Sequence, residues 1–162
     1  MVTASLFRPL TGLLLALATM SCGTASSTKP ITVEEFITQI DRLNGQTVSV
    51  TGYISECQGY NCLLYRNKAE SDEVDRAMSA KRAALAEGAT DVSGFPVPSH
   101  PAVSIGAGSR FSFFDLRASF YANSYVVITG QASNLCYAEG MACFDRAADL
   151  EPIAIQAAST PF

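Results

Sequence analysis

The side chains best suited to chemistry in this chain are its five cysteines, its single histidine and a set of carboxylates near the C-terminus. Four cysteines fall in two pairs, Cys57 with Cys62 as C-x4-C and Cys136 with Cys143 as C-x6-C. Zinc knuckles use the closer C-x2-C spacing, and a thioredoxin-like centre needs C-x-x-C. Neither metal nor cofactor is therefore expected, and the four thiols read as structural disulfides of an exported chain. His100 stands between Ser99 and Pro101. Without a G-x-S-x-G motif, a hydrolase triad would have this one base and no context for it, so His100 reads as a solvated loop residue. Gly106-Ala107-Gly108-Ser109-Arg110 lacks the third Gly of a dinucleotide fingerprint and the Lys of a phosphate loop, and reads as a turn. Asp145, Arg146, Asp149 and Glu151 cluster after Cys143. Paired carboxylates can hydrolyse a glycosidic bond, whereas loop acids more often bond nearby backbone. Tyr53, Tyr60, Tyr65, Tyr121, Tyr125 and Tyr137 could line a stacking groove for sugar or nucleic acid, with packing as the plainer expectation.

The elements that must position these groups belong to one domain, since 162 residues suffice for one and hardly for two. A hydrophobic share of 48% argues against disorder. A net charge of -4 argues against a phosphate-backbone binder, so nucleic acid is not an expected partner.

Thr32-Val33-Glu34-Glu35 reads as a capping box, followed by Val33, Phe36, Ile37, Ile40 and Leu43 at helical spacing and by Asn44-Gly45 as a left-handed stop. Residues 47 to 55 alternate Val48, Val50 and Ile54 with Ser49, Thr51 and Ser55, the pattern of a half-buried strand. Cys62 to Tyr65 makes a second strand, paired with the first as a hairpin. A surface helix is expected over residues 71 to 87, with Val74, Ala77, Met78 and Leu85 as its buried stripe, Asp72, Glu73 and Asp75 in its first turn, and Gly88 as its stop. Three prolines between Gly94 and Pro101 require an extended loop. Val103 and Ile105 suggest a short strand. In residues 111 to 121, Phe113, Leu116 and Phe120 fit a helix about as well as a strand, and a short helix is favoured. Tyr125 to Ala132 and Leu150 to Ile155 complete the strands.

An internal repeat runs through two of these strands. Residues 48 to 55, VSVTGYIS, align without gaps on residues 126 to 133, VVITGQAS, with Val, Thr, Gly and Ser shared. Each copy has an Asn shortly before it, Asn44 or Asn123, and each runs into a cysteine pair. Gly52 and Gly130 fall inside strands, where glycine marks a bend or bulge. The repeat favours local pairing, Cys57 with Cys62 and Cys136 with Cys143, among the three connectivities that four cysteines allow.

The segment from Leu43 to Gly52 resembles the opening strand of small bacterial envelope proteins with an OB-like barrel, and Tyr125 to Gly130 resembles a later strand of such a barrel. The resemblance implies an α+β fold, a small OB-like five-stranded β-barrel with an N-terminal helix and one inserted surface helix.

At the N-terminus, Arg8, an apolar stretch from Leu10 to Ala18, and the small residues around Ser21 make a secretion signal over residues 1 to 21. The apolar stretch is shorter than the roughly 20 residues a membrane-spanning helix needs. Thr19-Met20-Ser21-Cys22 resembles a bacterial lipobox, with Thr19 where such boxes usually carry Leu. The resemblance implies that Cys22 is diacylated and becomes the new N-terminus. Gly23 after it implies the outer membrane rather than the inner. Removing residues 1 to 21 takes away one base and no acid, so the mature chain is one unit more negative. Residues 22 to 30 form a small, polar tether, and residues 31 to 162 form the OB-like domain. The expected protein is a non-catalytic lipoprotein of the cell envelope, facing the periplasm, that binds or assembles with a protein or glycan partner. The alternative from another class is a periplasmic hydrolase using Asp145, Asp149 and Glu151.

Overall fold

The computed structural model describes residues 29–58, 61–108, 113–135 and 149–159. The signal, Cys22, Tyr60, Cys136, Tyr137, Cys143, Asp145 and Arg146 lie outside them. The chain enters through a two-residue strand, β1 (Ile31–Thr32), and turns directly into α1 (Val33–Thr38). The capping box forms as expected. Thr32 Oγ1 accepts from the Glu35 amide at 3.1 Å, and Glu35 Oε2 accepts from the Thr32 amide at 2.7 Å, so two orphan donors of the first turn are satisfied reciprocally. Hydrogen bonds to the Glu35 carboxyl from Thr32, its backbone amide first and its side chain second, hold that carboxyl below its ordinary pKa. The single helix expected through Leu43 is broken at Gln39, whose φ of -112° and ψ of 12° leave the helical region, and α2 (Ile40–Leu43) starts afresh. Burial is preserved across the break, with Val33, Phe36, Ile40 and Leu43 all inside. Gly45 then takes a φ of +76°, a conformation that costs a glycine little.

Beyond that turn lie β2 (Thr47–Gln58), β3 (Asn61–Tyr65), α3 (Lys68–Ala86), β4 (Ala102–Ser104), α4 (Phe114–Ser119), β5 (Ser124–Ala132) and β6 (Leu150–Ala157). Among the described residues the six strands form one mostly antiparallel sheet in the order β4-β3-β2-β5-β6, with β1 parallel to β2. The sheet is not closed, so the five-stranded barrel expected from the resemblance is not shown by this ladder. The reason is local. β4 is three residues long, and beyond it one parallel bridge, Ile105 with Leu150, meets β6. Around that bridge the Asp149 amide donates to the Ser104 carbonyl at 2.9 Å and the Gly106 amide to the Leu150 carbonyl at 3.0 Å.

The repeat seen in the sequence has a structural counterpart, because its two copies pair with each other. Val50 lies opposite Ile128, Val48 opposite Gly130 and Gly52 opposite Val126, a register that relates β2 to β5 by a local two-fold centred on Val50 and Ile128. Each shared glycine admits a close backbone from the next strand out. A Cβ at Gly52 would stand 2.5 Å from the Tyr65 carbonyl oxygen, and one at Gly130 would stand 2.4 Å from that of Glu151. Only Gly130 lies at a bulge, where Thr129 pairs with Ala154 but Gly130 with Pro152. In β2 the register shifts further on, between Ile54 and Cys57.

That shift decides where the cysteines go. Strand side chains alternate between faces, so Val50 and Ile54 point into the core while Thr51 and Tyr53 point to the other face; strict alternation would send Cys57 with Tyr53. The bulge moves it back, and Cys57 joins Ile54, Leu64, Val126 and Ile128 in the core. α1 and α2 pack on this core through Val33, Phe36, Ile40 and Leu43, and α4 through Phe114 and Ala118. α4 is the short helix favoured from the sequence, but the residues whose spacing suggested it are not its buried face. Phe113, Leu116 and Phe120 face solvent, at 68%, 61% and 80% exposure.

Candidate binding face

The face of the sheet opposite the core carries Thr51 and Tyr53 from β2, Tyr65 from β3, and Tyr125, Val127 and Thr129 from β5. It is aromatic at one end and hydroxylic at the other, where Ser49 and Thr129 share a 2.7 Å hydrogen bond across the central strand pair. Tyr53 and Tyr125 meet edge to face with ring centroids 5.3 Å apart, an arrangement favoured by the ring quadrupoles. Tyr53 and Tyr65 are buried although they lie away from the main core. α3, which packs on β2 and β3, is what covers them.

α3 begins at Lys68, three residues earlier than expected, because Asn67 caps it by accepting from the Glu70 amide at 3.0 Å. The first turn therefore carries Glu70, and Asp72, Glu73 and Asp75 fall in the turns that follow. Val74, Ala77 and Met78 are half-buried as expected, but Leu85 is exposed, and the one fully buried residue of the helix is Ser71. The Tyr53 hydroxyl and the Ser71 Oγ are buried with no hydrogen-bond partner. The Lys68 ammonium lies 5.9 Å from the centre of the Tyr53 ring and bonds Asp72 at 2.6 Å. Burial pushes the Tyr53 phenol above its usual pKa; Asp72, Tyr125 and Asp75 add to this, and Lys68 opposes it. Burial and Asp75 do the same to Tyr65.

Two clefts open along α3. One, of about 420 Å³, lies between the helix and the end of β2 and is lined by Ser55, Glu56, Asp75, Ser79, Arg82 and Asn123. The other, of about 410 Å³, adjoins it at Asp72, Asp75, Arg76 and Ser79. Asp75 is common to both. Its carboxyl is pushed up first by burial and then by the charge of Glu56, against the hydrogen bond from Ser55. A third cleft, of about 210 Å³, lies at the other end of the tyrosine face, between Glu34, Thr51, Arg66 and Tyr125. Its guanidinium is already engaged by Glu70 at 2.5 Å and Glu34 at 4.0 Å. These linings offer carboxylates, hydroxyls and a carboxamide, groups that hydrogen-bond polyols, together with the guanidiniums of Arg66, Arg76 and Arg82.

Cys57 and Cys62 are joined in a disulfide, directly opposed in the β2–β3 register and both buried. Asp115 Oδ1 lies 3.9 Å from the Cys57 sulfur. Of the carboxylates considered for hydrolysis, Asp145 lies outside the described residues. Asp149 and Glu151 are separated by environment, the first buried and the second exposed. Asp149 Oδ2 accepts from the Ser104 amide at 2.8 Å, its carbonyl accepts from the Ser133 amide at 2.8 Å, and Oδ1 has no partner. Burial raises its pKa, opposed by the Ser104 bond. It thus ties the ends of β4, β5 and β6 together, and neither acid lines the clefts described above. His100 is not simply solvated, since its Nε2 lies 2.9 Å from Glu73 Oε2 and joins the proline loop to α3. No group of three or more metal-ligating side chains occurs among the described residues.

Sequence reasoning passed over the layering of Tyr53, Tyr65 and Ser71, although the alternation of Val50 and Ile54 with Tyr53 already assigns that tyrosine to the outer face. Comparison of the chain with protein families, with curated proteins and with solved structures finds no match.

Proposed function

We propose that this protein is a non-catalytic lipoprotein of the bacterial cell envelope, anchored through Cys22 and facing the periplasm from the outer membrane, whose domain is an OB-like binding or assembly module. The observation that carries the fold reading is the strand order. β2 pairs with both β3 and β5, β6 pairs with β5, a helix separates β4 from β5, and the parallel Ile105–Leu150 bridge points β4 toward β6. That connectivity is what a partly open, five-stranded Greek-key barrel requires. Export is supported by the Cys57–Cys62 disulfide, a bond that persists in oxidising compartments. The Asp149 and Glu151 environments give the hydrolase alternative no supporting geometry. The polar, acidic clefts along α3 suit an uncharged glycan or the polar surface of a protein better than a nucleic acid.

Affinity capture from envelope extract on the immobilised mature chain tests the binding reading. The expected result is saturable retention of a glycan or protein component, unaffected by Asp149→Asn or Glu151→Gln. Turnover of a glycan substrate that those substitutions abolish would overturn it.

A further inference from the structure

We infer that the outward side of α4 is a lipid-contact face through which the domain lies against the bilayer that holds Cys22; the inference rests on the lipoprotein reading above and adds to it the surface that meets the membrane. Phe113, Leu116 and Phe120 stand three and four residues apart, the spacing that gathers side chains on one side of a helix. All three are more than half exposed, while Phe114 and Ala118 take the core. Arg117, exposed as well, follows Leu116. An apolar stripe with a long cation beside it suits the headgroup region, where phenyl and isobutyl groups enter the acyl boundary and a guanidinium reaches phosphate.

Phe113 is placed there against local preference. It caps α4 with φ of 49° and ψ of 35°, in the left-handed region where a bulky side chain is an outlier, and it makes no side-chain capping bond. Asn would suit both the cap and the backbone. Strain of this kind gathers at contact sites, and what it holds outward here is an aromatic ring.

Reach and charge select lipid as the occupant. The leash ends at β1, which pairs with β2 at Val50 and Thr51. α4 lies along the far end of β2, where Asp115 meets Cys57 and the Asn123 amide, just past the helix, donates to the Ser55 carbonyl at 3.0 Å. From Val50 to Cys57 the strand covers about 23 Å, within the roughly 30 Å that residues 22–30 can span. α1, which follows β1 directly, and α4 pack on the same core, so both lie on the side of the sheet opposite α3. An anchor at Cys22 thus presents the stripe to the bilayer at an effective concentration on the order of millimolar, where a weak apolar contact suffices. The net charge of -4 opposes an anionic lipid surface. Zwitterionic phospholipid is therefore the chemistry expected, with apolar insertion carrying the contact.

The chain has no tryptophan, so Phe120→Trp places a single indole on the stripe and Leu85→Trp places one on the exposed side of α3. Each is measured in two forms of the full mature chain: isolated from the envelope and reconstituted, and unacylated with Cys22→Ser. The probe is vesicles of phosphatidylethanolamine and phosphatidylcholine with brominated acyl chains. The Phe120→Trp emission should move to the blue and be quenched by bromine, in the unacylated form at lipid on the order of millimolar, and added salt should not reverse it. The Leu85→Trp emission should do neither. Leu116→Ser should weaken partition of the unacylated chain by about tenfold. Phe113→Asn should weaken it similarly while raising the Tm by about 2–4 °C, opposite effects that a purely structural Phe113 would not give. Emission from Phe120→Trp indifferent to vesicles in both forms, or equal quenching of the two indoles, would overturn the inference. So would a blue shift that grows with protein concentration in the absence of lipid, which would assign the face to a second copy of the chain. An isolated protein without an acyl group, beside intact quenching in the Cys22→Ser form, would remove the anchor and leave the lipid-contact face standing.

Discussion

Two residues carry consequences that no contact inventory would suggest. Asp149 is 4% exposed, and burial raises its carboxyl above the ordinary value of 3.8. A group whose folded pKa is raised contributes stability that is fully present below its unfolded value and is lost as pH rises through the folded value. Urea unfolding between pH 4 and 7 should therefore show Asp149 eroding stability upward from about pH 4, and Asp149→Asn should flatten that dependence; an unchanged slope in the variant would contradict the assignment. Sequence alone could not supply this. The plainer expectation was a loop acid bonding its own backbone, whereas the partner is the amide of Ser104, 45 residues away in sequence. Gly130 was legible as a special position, but the cause lies in the neighbouring strand. Gly130→Ala would drive a Cβ to 2.4 Å from a carbonyl oxygen that belongs to the β6 ladder, at a cost of about 1–3 kcal/mol. Gly94→Ala, with open space around it and no positive φ, should change stability by no more than about 0.5 kcal/mol in thermal unfolding.

The elements differ in how fully the sequence specified them, and the difference follows the range of the forces involved. The capping box of α1 and the Cys57–Cys62 hairpin rest on contacts a few residues apart and formed as read, whereas β2 formed as a strand but is buried on both faces from Val50 to Ile54 rather than half-buried. The break at Gln39 and the orientation of α4 depend on packing against distant strands. In α4, an aromatic-rich segment satisfies helical spacing in more than one phase. Phe114 and Ala118, four residues apart, took the core, and Phe113, Leu116 and Phe120 were left outside. Phe114→Ala should cost about 3–5 kcal/mol, and Phe120→Ser no more than about 0.5 kcal/mol. Comparable losses for the two would contradict this orientation. The same local logic extends to the second cysteine pair. Non-reducing peptide mapping should recover Cys136 linked to Cys143, beside the Cys57–Cys62 link, each closing a short loop worth about 2 kcal/mol. A peptide joining one pair to the other would refute local pairing.

At the scale of the whole molecule, the proposed anchor at Cys22 would tie an acidic, disulfide-bonded domain to the membrane by a short leash. Residues 22–30, fully extended, reach at most about 30 Å, so a lipid on Cys22 would hold the domain close to the bilayer surface. No helix among the described residues is long and apolar enough to cross a membrane. One acyl chain binds a bilayer only marginally, whereas two give stable anchoring, so the account requires the diacylated form. The measurement that bears on it most directly is intact mass and acyl labelling of the mature protein, with and without globomycin and with Cys22→Ala. The predicted result is a mature chain beginning at Cys22 and carrying a diacylglyceryl group, with precursor accumulating under globomycin and all label lost in the variant. A mature chain that begins elsewhere and carries no lipid would contradict it.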